Sequence, residues 1–460
     1  LFEKDKKFSS CAFGFYDMST IVVLGAGRSS AALIDYLLAH ADAGDWRICV
    51  ADLQPDLARE RIHAHPRAEA CLLDMNNESM ARELIGRSDV VISLLPPHWH
   101  TQVARYCLDL KKHLITASYV SDEMRLLHAD ALDNNLLFLN ECGLDPGIDH
   151  MSAMEVISRL TTSGGRIISF ESFTGGLIAP STDPGNPWRY KFTWNPRNVV
   201  MAGQGTARYL ELGQLKFIPY SQLFRRITRV HVPGIGELEG YANRDSLMYR
   251  EIYGLHDVNT LLRGTLRYPH FCSAWHVLVQ LGVCDDTYEV SCGDLTHAGF
   301  VELFLPAGNR PVEERLCRWM GLDPDGYEME RLRWSGFFSA EPVGLERATP
   351  ARITEHILNK RWALHTEDRD MIVMWHRFRY VRGQQMFELQ SSFVVEGRDA
   401  AHTAMATTVG LPLGIATRLL LEGRIVQRGV AVPVAEEIYR PVLEELKQYG
   451  IIFREEEVML

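Results

Sequence analysis

Two kinds of stretch in this chain carry residue types at spacings that could do chemistry. The first is Gly25-Ala26-Gly27-Arg28-Ser29-Ser30, which follows an apolar run from Ile21 and precedes a helical pattern, Ala31 to His40. Gly25 permits a tight turn and Gly27 lets backbone approach a pyrophosphate, so that the helix N-terminus offers free N–H groups to the anion. Ser30 stands where a third glycine or alanine is usual, yet it is small enough for helix to pack on strand. Arg28, Ser29 and Ser30 are therefore read with Gly25 and Gly27 as dinucleotide contacts. Asp52 ends the next apolar run, where an acid commonly bonds the adenosine ribose hydroxyls. A carboxylate there repels a 2′-phosphate, which favours NAD over NADP, although Arg28 and Arg59 could offset it. Asp74 is a second acid on the adenine side, and equally a turn or helix-cap residue.

The second kind sits at the ends of later apolar runs: Ser93-Leu94-Leu95-Pro96-Pro97-His98, Thr116-Ala117-Ser118-Tyr119-Val120-Ser121, and Asn140-Glu141-Cys142-Gly143-Leu144-Asp145-Pro146-Gly147-Ile148-Asp149-His150. Open parallel sheets bind ligands beyond the carboxyl ends of their strands, which puts Leu95, Pro96 and Ser118 beside a nicotinamide. Tyr119 could hydrogen-bond a substrate or relay a proton, and Asp145 could accept a proton or orient water. Cys142 is a softer catalytic candidate, since a lone thiol is equally a packing residue. Asp149 and His150 could instead cap a helix beginning near Met151.

The elements that must hold these residues are legible as rhythm. Runs at Ile21–Gly25, Arg47–Asp52, Ala70–Leu73, Val90–Leu95, His113–Ser118 and Leu136–Asn140 alternate with helical patterns, which predicts a Rossmann-type, doubly wound parallel sheet. After Asp149 the rhythm is lost. Strand-like runs follow at Arg166–Phe173 and Phe300–Leu305, a loop at Pro180–Pro187, and a helical stretch, Ala401–Glu422, expected to be interrupted near Pro412.

At 460 residues the chain is long enough for two or three domains. A net charge of -11 argues against general nucleic-acid binding, so an anionic ligand calls for local arginine clusters. Nine cysteines without a CxxC pair fit reduced thiols and a cytoplasmic protein. No run is expected to reach membrane-helix length. The pairs His98/His100 and His63/His65 lack partners in a metal-ligand arrangement, and neither a GxSxG elbow nor an HExxH helix is present, so no metal and no hydrolase are expected. Residues 1–17 have no periodicity, and Met18 directly precedes the first strand, which suggests a non-native or disordered leader.

Taken together, the strand-end blocks resemble the saccharopine dehydrogenase (glutamate-forming) family. Further blocks carry the resemblance: Gly175-Gly176-Leu177, Asn186-Pro187 with Tyr190-Lys191-Phe192, Asn243-Arg244-Asp245-Ser246, Arg263-Gly264-Thr265-Leu266-Arg267-Tyr268, Asp368-Arg369-Asp370-Met371 and Thr408-Val409-Gly410-Leu411-Pro412-Leu413. The resemblance implies a dinucleotide domain (18–148), a substrate and dimerisation domain with a mixed sheet (149–400), and C-terminal helices returning to the first domain (401–460). It implies a homodimer that oxidises the secondary amine of saccharopine with NAD(P), the imine then being hydrolysed to glutamate and aminoadipate semialdehyde. Such a substrate has three carboxylates and needs charge-assisted donors, for which the family-like blocks offer Arg244, Arg263 and Arg267. Two alternatives stand beside this reading: a carboxynorspermidine or carboxyspermidine dehydrogenase, whose polyamine substrate would call for acidic residues, and a dinucleotide-sensing scaffold without turnover.

Overall fold

The structure is a computed structural model that describes residues 18–202 and 204–460, so the expected leader lies outside the described residues. Six strands alternate with helices: β1 (Ser19–Leu24), β2 (Trp46–Asp52), β3 (Ala68–Leu72), β4 (Val90–Ser93), β5 (His113–Thr116) and β6 (Leu137–Leu139). They pair in parallel in the order β6-β5-β4-β1-β2-β3. Val22, Val23, Val91 and Ile92 are sealed on both faces, as the sheet of a doubly wound fold demands. The order reverses beside β1, which opens a crevice above β1 and β4 for a ligand.

The second sheet uses β7 (Arg166–Ile178), β8 (Ala207–Glu211), β9 (Gln214–Ile218), β10 (Ile227–Val232), β11 (Gly236–Ala242) and β12 (Thr260–Arg267). After a two-stranded pair, β13 (Val290–Ser291) with β14 (Arg347–Ala348), come the long strands β15 (Asp370–Arg382) and β16 (Gln385–Glu396). With β18 (Arg454–Met459) the main path runs β10-β11-β12-β7-β15-β16-β18, mixed in direction because β12 and β7 are parallel. One face buries an aromatic core of Trp188, Trp275 and Trp362; the other packs Phe170, Phe378 and Tyr380 against helix Ile148–Thr162.

The chain then returns to the first sheet. β17 (Gly429–Ala431) adds a seventh parallel strand beside β6. Helix Ala404–Leu421 lies against helix Ala31–His40, and only hydrogen fits at their closest approach: a Cβ on Gly410 would stand 2.7 Å from the Leu33 nitrogen, and one on Gly414 2.5 Å from the Tyr36 ring.

Four expectations are corrected here. Helix Ala404–Leu421 runs unbroken through Pro412, because packing on a neighbouring helix outweighs the lost backbone bond. The same helix, at 18 residues and mean hydropathy 1.4, is long and apolar enough to cross a membrane by length and composition, but 72% of it is buried inside the fold as a core helix. Phe300–Leu305 is no strand; Phe300 lies in helix His297–Glu302, which starts where the Thr296 side chain accepts from the Gly299 N–H. The helix expected near Met151 begins at Ile148, so Asp149 and His150 fall in its first turn.

Candidate active site

The glycine turn is held from two sides. Gly25 has φ +106°, and a Cβ there would press on the Leu94 carbonyl at the end of β4, so the turn sits flush on the neighbouring strand. Above Gly27 a Cβ would meet nothing within 4 Å. Among the described residues, the N–H groups of Gly27, Arg28 and Ser29 find no acceptor, and Ser30, at the N-cap of helix Ala31–His40, spends its hydroxyl on the Gly27 carbonyl at 2.8 Å. Open space above unpaired donors at a helix N-terminus fits a pyrophosphate. Arg28 is exposed and forms no ion pair among the described residues.

Asp52, expected at the adenosine ribose, also has backbone partners. Its two carboxylate oxygens accept from the N–H groups of Ala26 and Gln54, at 2.7 and 2.8 Å, so it braces the glycine turn and its charge is partly absorbed by backbone donors. Asp74 bonds the backbone and side-chain nitrogens of Asn76, the turn role weighed for it. At the exits of β4 and β5, Leu95 is half-buried and Pro96 exposed, while the Ser118 hydroxyl bonds His100 Nε2 at 2.7 Å. His100 Nδ1 holds the Ser93 hydroxyl at 3.0 Å, and burial, with a smaller contribution from His98, lowers this imidazole to about 4, so it is neutral. Sequence reasoning weighed His100 only as a metal ligand; here it ties the ends of two strands. Cys49, Glu69 and Cys71, none of them singled out by sequence, bring donor atoms within 4.8 Å of one another on β2 and β3.

The Asn140–His150 block is a tight loop up to Gly147 and then the first turn of helix Ile148–Thr162. A Cβ on Gly147 would stand 2.0 Å from the Gly143 oxygen, and one on Gly143 2.8 Å from Ala117, so both glycines are required for the loop to fold onto β5. Its tip presents Asp145, whose Oδ1 accepts from the Tyr119 hydroxyl at 3.2 Å and from Arg263 Nη2 at 2.9 Å. Arg263 also binds Asp149. Beneath lies a sealed polar cluster that sequence reasoning missed: Glu141 accepts from His150 Nε2 at 2.8 Å and from the Tyr249 hydroxyl at 3.0 Å, while His150 Nδ1 meets the Tyr253 hydroxyl.

These neighbours set the charges. Burial, then the charge of Asp149, push the Asp145 carboxyl above its usual range despite Arg263. For Asp149, burial is outweighed by His150 and Arg263 together with the Gly147 N–H, and its carboxyl is held below the usual range. Burial, with Asp145 adding, raises the Tyr119 phenol, so Tyr119 stays protonated and acts as a donor. Asp145 is left as the group poised to exchange a proton. Cys142 lacks that freedom: its thiol is fully buried, points at the Pro412 carbonyl at 3.6 Å, and is raised by burial alone. It is a core residue, which removes the access a catalytic role would need.

Arginines line the second sheet's side of the cleft. Arg244 has φ +46°, with its carbonyl taken by the Arg208 N–H, and its exposed guanidinium lies over the Tyr119 ring at 4.9 Å without an ion pair among the described residues. Arg267 follows Arg263 by four residues on β12, hence on the same face and about 13 Å along the strand. It is buried among Tyr190, Tyr241 and Phe271; Nη1 reaches the Leu266 carbonyl, Nε has no partner, and no carboxylate pairs with it among the described residues.

Two family models match the chain: the saccharopine dehydrogenase NADP binding domain over residues 21–139 and the saccharopine dehydrogenase C-terminal domain over residues 143–451. Among curated relatives, the saccharopine dehydrogenase [NADP(+), L-glutamate-forming] of Saccharomyces cerevisiae is 30% identical over 452 residues, 95% of this chain and 99% of that protein. The mitochondrial alpha-aminoadipic semialdehyde synthase of Rattus norvegicus is 34% identical across 95% of this chain and 48% of the relative. The chain thus spans about half the length of the synthases it matches. The solved apo structure of the S. cerevisiae saccharopine dehydrogenase (L-Glu forming) superposes with TM-score 0.85 at 29% identity, covering 96% of this chain and 100% of that one. The NADP naming gives no support to the NAD preference expected from Asp52. The rat relative's mitochondrial name means that a cytoplasmic location does not follow from the kinship.

Proposed function

Because the chain belongs to the saccharopine dehydrogenase family, we propose that it oxidises the secondary amine of saccharopine with a nicotinamide dinucleotide and hydrolyses the resulting imine to glutamate and aminoadipate semialdehyde. The observation that carries the substrate class is Arg267. A buried guanidinium without a counter-charge is costly, and a substrate carboxylate entering the cleft would both neutralise it and supply its missing acceptor. Arg244, exposed at the rim, offers a second cation. A polycationic substrate would meet two unneutralised arginines, which weighs against the polyamine alternative.

When bound, the nicotinamide accepts the hydride. The protein handles position and protons. The backbone N–H groups of Gly27, Arg28 and Ser29 would hold the pyrophosphate, and Leu95, Pro96 and Ser118 would line the nicotinamide end. Asp145 takes the amine proton, so that the nitrogen lone pair is free as hydride departs, and later assists addition of water to the imine. The Tyr119 hydroxyl donates to the Asp145 carboxylate, and its oxygen can accept a hydrogen bond from a substrate N–H. Arg263 neutralises Asp149 and so limits how far the Asp145 carboxyl rises.

NADP is the preferred form on this reading. The support is the NADP naming of the family model and the yeast relative, the engagement of Asp52 with the turn, and the exposed Arg28 of that turn, which forms no ion pair among the described residues. Exposed Leu212, Leu215 and Phe217 around the β8–β9 hairpin support a homodimer, which light scattering would test. The free thiols support a reducing compartment. Initial rates with saccharopine and with carboxynorspermidine, each with NAD and NADP, test the whole reading: saccharopine with NADP should be fastest, and preference for the polyamine would refute it.

A further inference from the structure

Glu141 makes an unusual set of commitments. It is fully buried, carries a carboxylate, and is a non-glycine residue at φ +56°, a left-handed conformation that side chains rarely adopt. Its backbone and side chain reach the same short segment from opposite ends. The Glu141 N–H donates to the Ser118 carbonyl at 3.0 Å, and its Oε1 accepts from the Val120 N–H at 3.0 Å. The residue between those two contacts is Tyr119. Oε2 faces away, anchored by His150 and Tyr249. His150 lies in the helix that begins three residues after Asp145, and Tyr249 comes from helix Met248–Ile252 of the second sheet's domain. The left-handed turn at Glu141 is what lets one residue present N–H and carboxylate to the same segment.

We propose that Glu141 is a positioning residue that clamps Tyr119 between Ser118 and Val120 and so sets the Tyr119–Asp145 hydrogen bond on which proton transfer depends. The proposal rests on the roles given to Tyr119 and Asp145 above. Glu141 touches neither substrate nor cofactor; it acts through Tyr119. Most of the anchoring could be met by an amide: Gln at this position still accepts from Val120 through its oxygen, and its NH2 can donate to His150 Nε2 after a tautomer shift and to the Tyr249 hydroxyl oxygen, with only the Tyr249 donation lost. Charge at Glu141 therefore matters less than shape.

The test is a double-mutant cycle on kcat at saturating saccharopine and NADP, with cofactor affinity measured separately. Tyr119→Phe alone should lower kcat; if it does not, the roles assigned to Tyr119 fail before the clamp is in question. Glu141→Ala should lower kcat on the order of 100-fold with cofactor affinity unchanged, and Glu141→Gln should restore most of it. Added to Tyr119→Phe, Glu141→Ala should cost little more, because the phenol it positions is already gone. Full additivity, or equal losses in Glu141→Gln and Glu141→Ala, would overturn the clamp. Should Glu141→Ala fail to fold, the cycle runs with Glu141→Asp, whose shorter side chain withdraws from Val120: the same non-additivity with Tyr119→Phe supports the clamp, and additivity overturns it.

Discussion

Arg263 and Arg267 sit four residues apart on a single face of β12, and they are similarly buried, at 6% and 5% exposure. Their surroundings differ in one respect. Arg263 is balanced by Asp145 and Asp149 from the loop that follows β6, whereas Arg267 is enclosed by aromatic rings and its own neighbour's carbonyl. Burial alone therefore does not identify a ligand-binding arginine; the presence or absence of an internal counter-charge does. Arg263 belongs to the protein's own charge balance, while Arg267 has no carboxylate partner among the described residues, which is why the proposed function gives it a substrate carboxylate.

The comparison breaks most visibly in Arg263→Met, which strands two buried carboxylates. It should cost about 3–5 kcal/mol of stability, read by urea unfolding, whereas Arg267→Met should leave stability unchanged or raised; equal losses would erase the distinction. Next comes Asp145→Asn. A base must be unprotonated to work, so oxidation by the native protein should fall as pH drops through the Asp145 pKa, which lies above the usual carboxylate range. The Asn variant should lose that limb and on the order of 100-fold or more in kcat.

The two acids should also titrate stability in opposite senses. A raised carboxyl opposes folding once pH exceeds its unfolded value of about 3.9, so Asp145→Asn should raise Tm at neutral pH. A depressed one stabilises above that value and loses its contribution as pH falls through its folded pKa, so Asp149→Asn should lower Tm at neutral pH. A smaller effect is expected further along β12: Arg267→Met should raise the saccharopine KM about 10- to 100-fold with the cofactor KM unchanged, and Arg244→Ala should do the same more weakly, since its guanidinium is exposed. The least is Arg28→Ala, which should weaken NADP more than NAD.

The two sides of the cleft also differ in how readily sequence reveals them. The glycine turn, helix Ala31–His40 and six strands are local patterns, set by alternation and by Gly25 and Gly27, and they could be read within a few residues of where they lie. Boundaries shifted because the chain already turns into loops at Leu94–Leu95 and Ala117–Ser118, beyond the last paired residues Ser93 and Thr116. Asp52 was located at its strand end, but its partners are backbone N–H groups that composition does not display. On the substrate side, Asp145 and Tyr119 were picked by position, yet two of the groups that govern their surroundings, Arg263 on Asp149 and Tyr249 on Glu141, arrive from more than 100 residues along the chain. Glu141 left one sequence signal, an acid placed two residues after a sealed strand. Pro412 misled because its local cost is real, and the packing that offsets it lies nearly 400 residues away on helix Ala31–His40.

The most direct measurement is the stoichiometry of saccharopine oxidation by the purified chain with NADP: reduced nicotinamide, glutamate and trapped semialdehyde should appear in equal amounts, with a saturable dependence on saccharopine. Binding of NADP without saccharopine-dependent reduction, or reduction without release of glutamate, would contradict the account.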